Sequence, residues 1–258
     1  MSLLTHLERL AGEALLRGSG QSRNRQSAQT LEERLAEYFG DEITDAFAYG
    51  SSIRGTSLPR YYSESIDIDY MVVFKSDGCT PTTYLKRLLQ FAQVNYPRSV
   101  VRQSTPAVSI RLAHLTFELV PALPAFLSDY KIPTSQGAWM GANPRGLEKK
   151  LAGRNQDCGG MLKPAIRLAK LWNTHSGYVF NSFDLESQAA ALYYVGAQNV
   201  RDHFLVILRN LSLGFFSEAS AWRVDALHRA RALSAEAIKF DSQGDVKRAI
   251  HTINKLFP

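Results

Sequence analysis

The chain has 258 residues, 45% hydrophobic and 21% charged, an ordinary globular composition that excludes a disordered or collagen-like polymer. No apolar run approaches the length of a membrane span, so no transmembrane helix and no membrane partner are expected. A formal net charge of +6 suits an anionic ligand such as a nucleotide, while no block of consecutive Lys or Arg marks a nucleic-acid-binding tail.

The N-terminus, MSLLTHLERLAGEALLRG, mixes acids among its apolar residues and lacks a small-residue cleavage site. It reads as an amphipathic helix and not as a signal peptide. A second helix is predicted over Ala28–Tyr38, where the apolar period breaks at Gly40. Ile43–Tyr49 reads as a strand running into Gly50-Ser51, and Asp67–Phe74 as a second strand. Thr80-Pro81 fits an N-cap followed by proline in the first turn, opening a helix to about Tyr96. Three β-rich runs follow, Ser99–Gln103, Ala107–Leu112 and Leu115–Val120, and Pro121 and Pro124 are expected to end the series. The Gly- and Pro-containing stretch Pro133–Gly146 reads as a connection, and beyond about Pro144 the pattern is helical. Apolar stripes run through Val200, Phe204, Ile207 and Leu211, and through Val246, Ile250 and Ile253. These elements predict an α/β lobe over residues 1–140 and a helical lobe over residues 141–258, with a cleft between them. Cys79 and Cys158 fit no metal spacing and read as reduced thiols of a cytoplasmic protein. The histidines form no His-x-x-x-His pattern, so a zinc site is not expected.

The chemistry concentrates in acids. Asp67 and Asp69 are two residues apart on a strand, so they share a face while Ile66, Ile68 and Tyr70 take the other. Like charges so placed repel unless a cation lies between them, and Mg²⁺ prefers carboxylate oxygens. Glu118 is a third acid inside the apolar run LTFELVPAL. Three carboxylates would converge if its strand paired beside that of Asp67. An isolated Asp-x-Asp most often marks a strand end. The upstream Gly50-Ser51 and the third acid raise this one above that reading.

Gly50-Ser51, Asp67-x-Asp69 and FELVPA resemble the signature of the DNA polymerase β-type nucleotidyltransferases. The stretch "GSSIRGTS…DIDYMVVF" is most similar to the branch holding oligoadenylate synthetases, cGAS and the bacterial CD-NTases. "MLKPAIRLAKLWN" (Met161–Asn173) and "NSFDLESQAA" (Asn181–Ala190) continue the similarity. The third acid is Glu where that branch mostly has Asp.

The resemblance implies an α+β nucleotidyltransferase palm with a mixed central β-sheet, a helical C-terminal lobe and an active site in the cleft. It implies two Mg²⁺ ions, replaceable by Mn²⁺, held by Asp67, Asp69 and Glu118. Donor phosphates would meet Gly50, Ser51 and Ser182, and Phe183 would stack on the base. Lys163, Arg167 and Lys170 share one helix face, which is usually only a solvated stripe. By resemblance Arg167 and Lys170 become a triphosphate clamp, with Lys163 the weaker contact. The implied reaction joins nucleoside triphosphates, without a template, into a short cyclic or linear oligonucleotide signal in bacterial antiphage defence, with an effector protein that responds to it. Two alternatives remain open. One is transfer of nucleotides to RNA or protein, including self-priming on Tyr61 or Tyr62. The other is an inactive nucleotide-binding module, against which the intact acid set argues.

Overall fold

The computed structural model of the protein describes residues 2–15, 19–59, 67–76, 78–126, 128–214 and 220–258. Ile66, Tyr61 and Tyr62 lie outside them. The chain forms two compact units, each discontinuous in sequence. One comprises Arg17–Arg54 and Ser65–Glu148, and the other Met1–Leu16, Gly55–Glu64 and Lys149–Pro258. This differs from the expected single cut at residue 140. The first helix, α1 (Leu3–Glu13), groups with the C-terminal helices because Leu3, Leu7 and Ala11 are buried among them.

The first unit is built on a mixed sheet. Helix α2 (Ser19–Phe39) leads into β1 (Ile43–Tyr49), the one-turn helix α3 (Ser51–Arg54) and β2 (Asp67–Phe74). Helix α4 (Pro81–Asn95) follows, its Thr80 side chain accepting from the Thr83 N–H as the Thr-Pro start predicts. Then come β3 (Val100–Ser104), β4 (Ala107–Arg111) and β5 (Thr116–Pro124). The strand order is β1-β2-β5-β4-β3, with β2 and β5 parallel and the other neighbours antiparallel. One face of β2 and β5 carries Tyr70, Val72, Phe74, Phe117 and Leu119, all buried. Phe74 packs edge-on against Phe39 of α2 at 5.2 Å and lies 4.9 Å from Tyr84 of α4. Burying each such side chain contributes about 2 kcal/mol, which seats both helices on this face.

Two expectations are corrected here. Pro121 does not end its strand, since it is in register with Val72 within the parallel pair. Pairing of β4 with β5 stops at Val108–Leu119, which leaves beyond it an edge where a residue without an N–H is tolerated. The stretch Pro133–Gly146 is no plain connection either. It completes the hairpin of β6 (Tyr130–Pro133) and β7 (Trp139–Ala142), and β6 pairs with the end of β5. Gly137, at φ +77°, turns that hairpin.

Helix α5 (Pro144–Asp157) spans the boundary between the units. The second unit continues with α6 (Leu162–His175), α7 (Ser182–Ala191), α8 (Val200–Asn210), α9 (Ala221–Ser242) and α10 (Val246–Asn254). Helix α6 is buried over nearly its whole circumference, from Leu162 through Ile166, Ala169 and Trp172. It packs against α1 and α8. His6 of α1 and Asn254 of α10 hydrogen-bond at 2.6 Å. Among the described residues, no helix is long and apolar enough to cross a membrane.

Candidate active site

The parallel register of β2 and β5 sets Asp69 directly beside Glu118, and Asp67 beside Thr116. On the other side of β2, Tyr49 of β1 is in register with Asp69. Period-two geometry therefore puts Asp67, Asp69, Glu118 and Tyr49 on one face. Further along that face Met71, Val73 and Ala122 are buried, with Phe47, Tyr130 and Ile132 packed against them. The acids sit where this apolar surface ends. Asp67 is exposed, and Asp69 and Glu118 are half-buried. Burial pushes the Glu118 carboxyl above the usual carboxylate range, and the charges of Asp69 and then Asp67 push it further. The three carboxylates thus share one electrostatic environment.

Sequence reasoning passed over two further groups. Burial first, then the charges of Asp69 and Glu118, drive the Tyr49 phenol far above its ordinary value. It stays protonated and can donate beside the acids. Arg54, buried at the end of α3, pulls Tyr49 the other way and supplies positive charge to the same neighbourhood. Only a cation one helical turn beyond Gly50-Ser51 could have flagged Arg54, and only the register reveals Tyr49.

Gly50 is required twice over. Its φ of +83° is left-handed, and a Cβ built on it would lie 2.0 Å from Asp69 Oδ2. The Gly-Ser turn therefore touches the Asp69 carboxylate in a way no larger residue permits. Ser51 opens α3, and the Arg54 N–H donates to the Gly50 carbonyl at 3.1 Å. The Ser52 hydroxyl donates to the Tyr49 carbonyl at 3.3 Å, which fixes the turn to the end of β1.

The basic residues of α6 take a different place from the one their spacing predicts. Lys163 is half-buried, but Arg167 and Lys170 are buried. The Lys170 ammonium lies 2.6 Å from Glu186 Oε1, and Glu186 is 0% exposed. Arg167 donates to the carbonyls of Ala11 at 3.0 Å and Gly55 at 3.1 Å. These cations have internal partners, so the expected triphosphate clamp does not follow from this geometry. A core helix has no solvated face, and its polar side chains must be matched inside the protein. Ser182 and Phe183 form the first turn of α7, which Asn181 caps by accepting from the Asp184 N–H at 2.7 Å. Both are exposed, and Phe183, at 58%, is not a core residue.

As for a metal, Asp67, Asp69 and Glu118 form an all-oxygen donor set whose mutual repulsion a cation would relieve. Among the described residues, no three His, Cys, Asp or Glu side chains are gathered closely enough to hold an ion by themselves. Mg²⁺ keeps several waters and is held by one or two carboxylates together with substrate phosphates, so an ion here would need phosphate oxygens beside these acids.

A mixed sheet that sets a Gly-Ser turn against an Asp-x-Asp strand, beside a parallel strand bearing a third acid, defines the polymerase β-type nucleotidyltransferases. Residues 1–155 match the family model described as the Second Messenger Oligonucleotide or Dinucleotide Synthetase domain. The chain belongs to that family and is a nucleotidyltransferase of the branch that includes cGAS and the CD-NTases. Among solved structures, Escherichia coli MS115-1 CdnC with ATP is 18% identical at a TM-score of 0.78, covering 100% of this chain and 98% of that one. The same CdnC in complex with HORMA-deltaN is 17% identical at 0.76, covering 99% and 98%. The Bradyrhizobium diazoefficiens CD-NTase CdnG with GTP is 14% identical at 0.71, covering 98% and 99%. At these identities the likeness establishes the α+β fold. A comparison with curated protein sequences gave no match.

Proposed function

We propose that the protein is a metal-dependent, template-independent synthetase that joins nucleoside triphosphates into a short cyclic or linear oligonucleotide signal. The observation that carries this reading is the register of Asp69 with Glu118, with Asp67 on the same face and Gly50 packed against Asp69. Asp67, Asp69 and Glu118 would hold two Mg²⁺ ions, for which Mn²⁺ could substitute. Bound there, the metal would supply charge neutralisation for the transferring phosphoryl group and lower the pKa of the attacking hydroxyl. The chain's own groups bind and orient. Ser51 offers its hydroxyl and N–H to the donor phosphates next to a glycine that allows close approach. Tyr49, held protonated, donates beside the carboxylates. In the helical unit, Ser182 and Phe183 are exposed in the first turn of α7, where the resemblance assigns them a hydroxyl for phosphate and a stacking surface for a base of any identity. The acceptor hydroxyl attacks the α-phosphorus in line, forming the new P–O bond as the bond to pyrophosphate breaks.

The ATP and GTP bound to CdnC and CdnG support nucleoside triphosphates as substrates. The CdnC complex with HORMA-deltaN supports a protein partner for this chain as well. We place the enzyme in the cytoplasm, in antiphage defence, acting through an effector that responds to its product. The test is incubation with each labelled NTP and Mg²⁺ or Mn²⁺, followed by product analysis. Pyrophosphate release with a small phosphatase-resistant product is expected for a cyclic signal, and a phosphatase-sensitive one for a linear signal. Label transferred to protein or RNA would replace this reading, and no turnover with any NTP would contradict it.

A further inference from the structure

The residues that follow the Gly50-Ser51 turn are gripped by a buried polar ring. Gly55 and Thr56 group with the helical unit, although the turn just before them groups with the sheet. Thr56 is 0% exposed. Its hydroxyl donates to Glu186 Oε1 at 2.8 Å. The same oxygen accepts from Lys170 Nζ at 2.6 Å, and Lys170 Nζ also donates to the Thr56 carbonyl at 3.2 Å. Three residues thus close a ring around one point of the chain. One turn earlier on α6, Arg167 holds the neighbouring Gly55 carbonyl at 3.1 Å.

Cohesion of the helices does not call for such a ring. A buried ion pair is weak support for stability, and apolar side chains of similar volume hold helices together as well or better. What the ring provides, and apolar packing cannot, is directional hold on two consecutive carbonyls and a hydroxyl. It takes hold where α3 ends. Upstream, Gly50 is fixed by its contact with Asp69, and downstream Gly55 is held by Arg167 and Thr56 by the ring. Ser51 and Arg54 lie on the short piece of chain between these two points.

Building on the nucleotidyl-transfer reading above, we propose that Lys170, Glu186 and Thr56 are positioning residues for that reaction. They form a latch that fixes the chain leaving Gly50-Ser51 and keeps Ser51 and Arg54 in place through turnover. The cations of α6 therefore act on the reaction through the backbone of the Gly-Ser turn, not by contact with the triphosphate.

The test compares Thr56→Val, which keeps the shape and removes the donor, with Thr56→Ser, which keeps the donor. Thr56→Val should lower kcat at saturating NTP by about tenfold to a hundredfold, the scale of a misplaced reacting geometry, with a smaller change in KM. Thr56→Ser should recover most of that loss. The paired variant Lys170→Met with Glu186→Gln leaves neither member of this ion pair as a buried charge without the other, so it should fold, and it should lose kcat in the same way. Hydrogen exchange across Ser51–Arg54 gives a readout independent of turnover, and it should quicken in Thr56→Val. Variants with lowered melting temperatures but wild-type kcat and unchanged exchange would overturn the latch and leave the ring purely structural. A wild-type protein that releases no pyrophosphate would overturn the parent reading and the catalytic half of this one. An active wild type with unaffected variants would overturn the latch alone.

Discussion

Two groups of charged residues among those described sit in apolar surroundings and have opposite fates. On the sheet, Asp67, Asp69 and Glu118 gather with like charge where an apolar face ends, and the Glu118 carboxyl is pushed up by burial and then by Asp69 and Asp67. In the helical unit, Lys170 meets Glu186 and Thr56 in a closed, buried set. A frustrated cluster gains from an added cation, whereas a satisfied one gains nothing and loses heavily if a member is removed. Local geometry and burial, more than residue type, separate the group that invites a ligand from the group whose charges are matched inside the protein.

Substitutions at the two clusters should act in opposite senses. The largest effect is expected for Asp67→Asn with Asp69→Asn. Turnover should vanish while circular dichroism and melting show a folded protein, because the double change relieves like-charge repulsion around Glu118. Residual turnover near wild type would break the comparison at its first term.

Lys170→Ala should behave in the reverse sense. It leaves the fully buried Glu186 carboxylate without its ammonium, and losing one partner of such a pair costs about 3–5 kcal/mol. Chemical denaturation should show that loss, and the added substitution Glu186→Gln should recover part of it. A change within about 0.5 kcal/mol, as for an exposed lysine, would mean that the pair is solvated.

The smallest effect is a pH dependence. The folded state binds a proton at Glu118 more tightly than the unfolded chain does, because its carboxyl is raised by burial, Asp69 and Asp67. Glu118 therefore disfavours the fold increasingly as pH rises from the ordinary carboxylate range through its raised folded value. In a metal chelator, melting temperature should fall across that window more in wild type than in Glu118→Gln. Added Mg²⁺ should offset the fall in wild type. Equal pH slopes in the two proteins would place Glu118 away from the other acids.

Much of the sheet was legible in the sequence because strand signals are local. Alternation and turn residues marked β1 and β2 to their ends, and the two-residue spacing put Asp67 and Asp69 on one face. That Glu118 lies beside Asp69 needed a pairing between strands far apart in the chain, which the sequence could pose only as a condition. Tyr49 was hidden for the same reason, since its partner is set by register. Pro121 misled because proline reads as a terminator, whereas the edge beyond β4 tolerates it. The α6 stripe was the least legible. Spacing shows that Lys163, Arg167 and Lys170 share a side of a helix, but not that Arg167 and Lys170 are buried there and held by residues of other elements. Helix α1 carried no mark that it belongs with helices from the far end of the chain, because its partners are apolar stripes of no special identity.

The central proposal is that Asp67, Asp69 and Glu118 hold metal. A crystal of the protein grown with Mn²⁺ and a non-hydrolysable nucleoside triphosphate, measured at the manganese absorption edge, tests this. The account predicts anomalous peaks within bonding distance of carboxylate oxygens of Asp67 and Asp69, one of them also ligated by Glu118, with phosphate oxygens completing the shells. Manganese bound elsewhere, or Glu118 turned away from both aspartates with nucleotide in place, would contradict it.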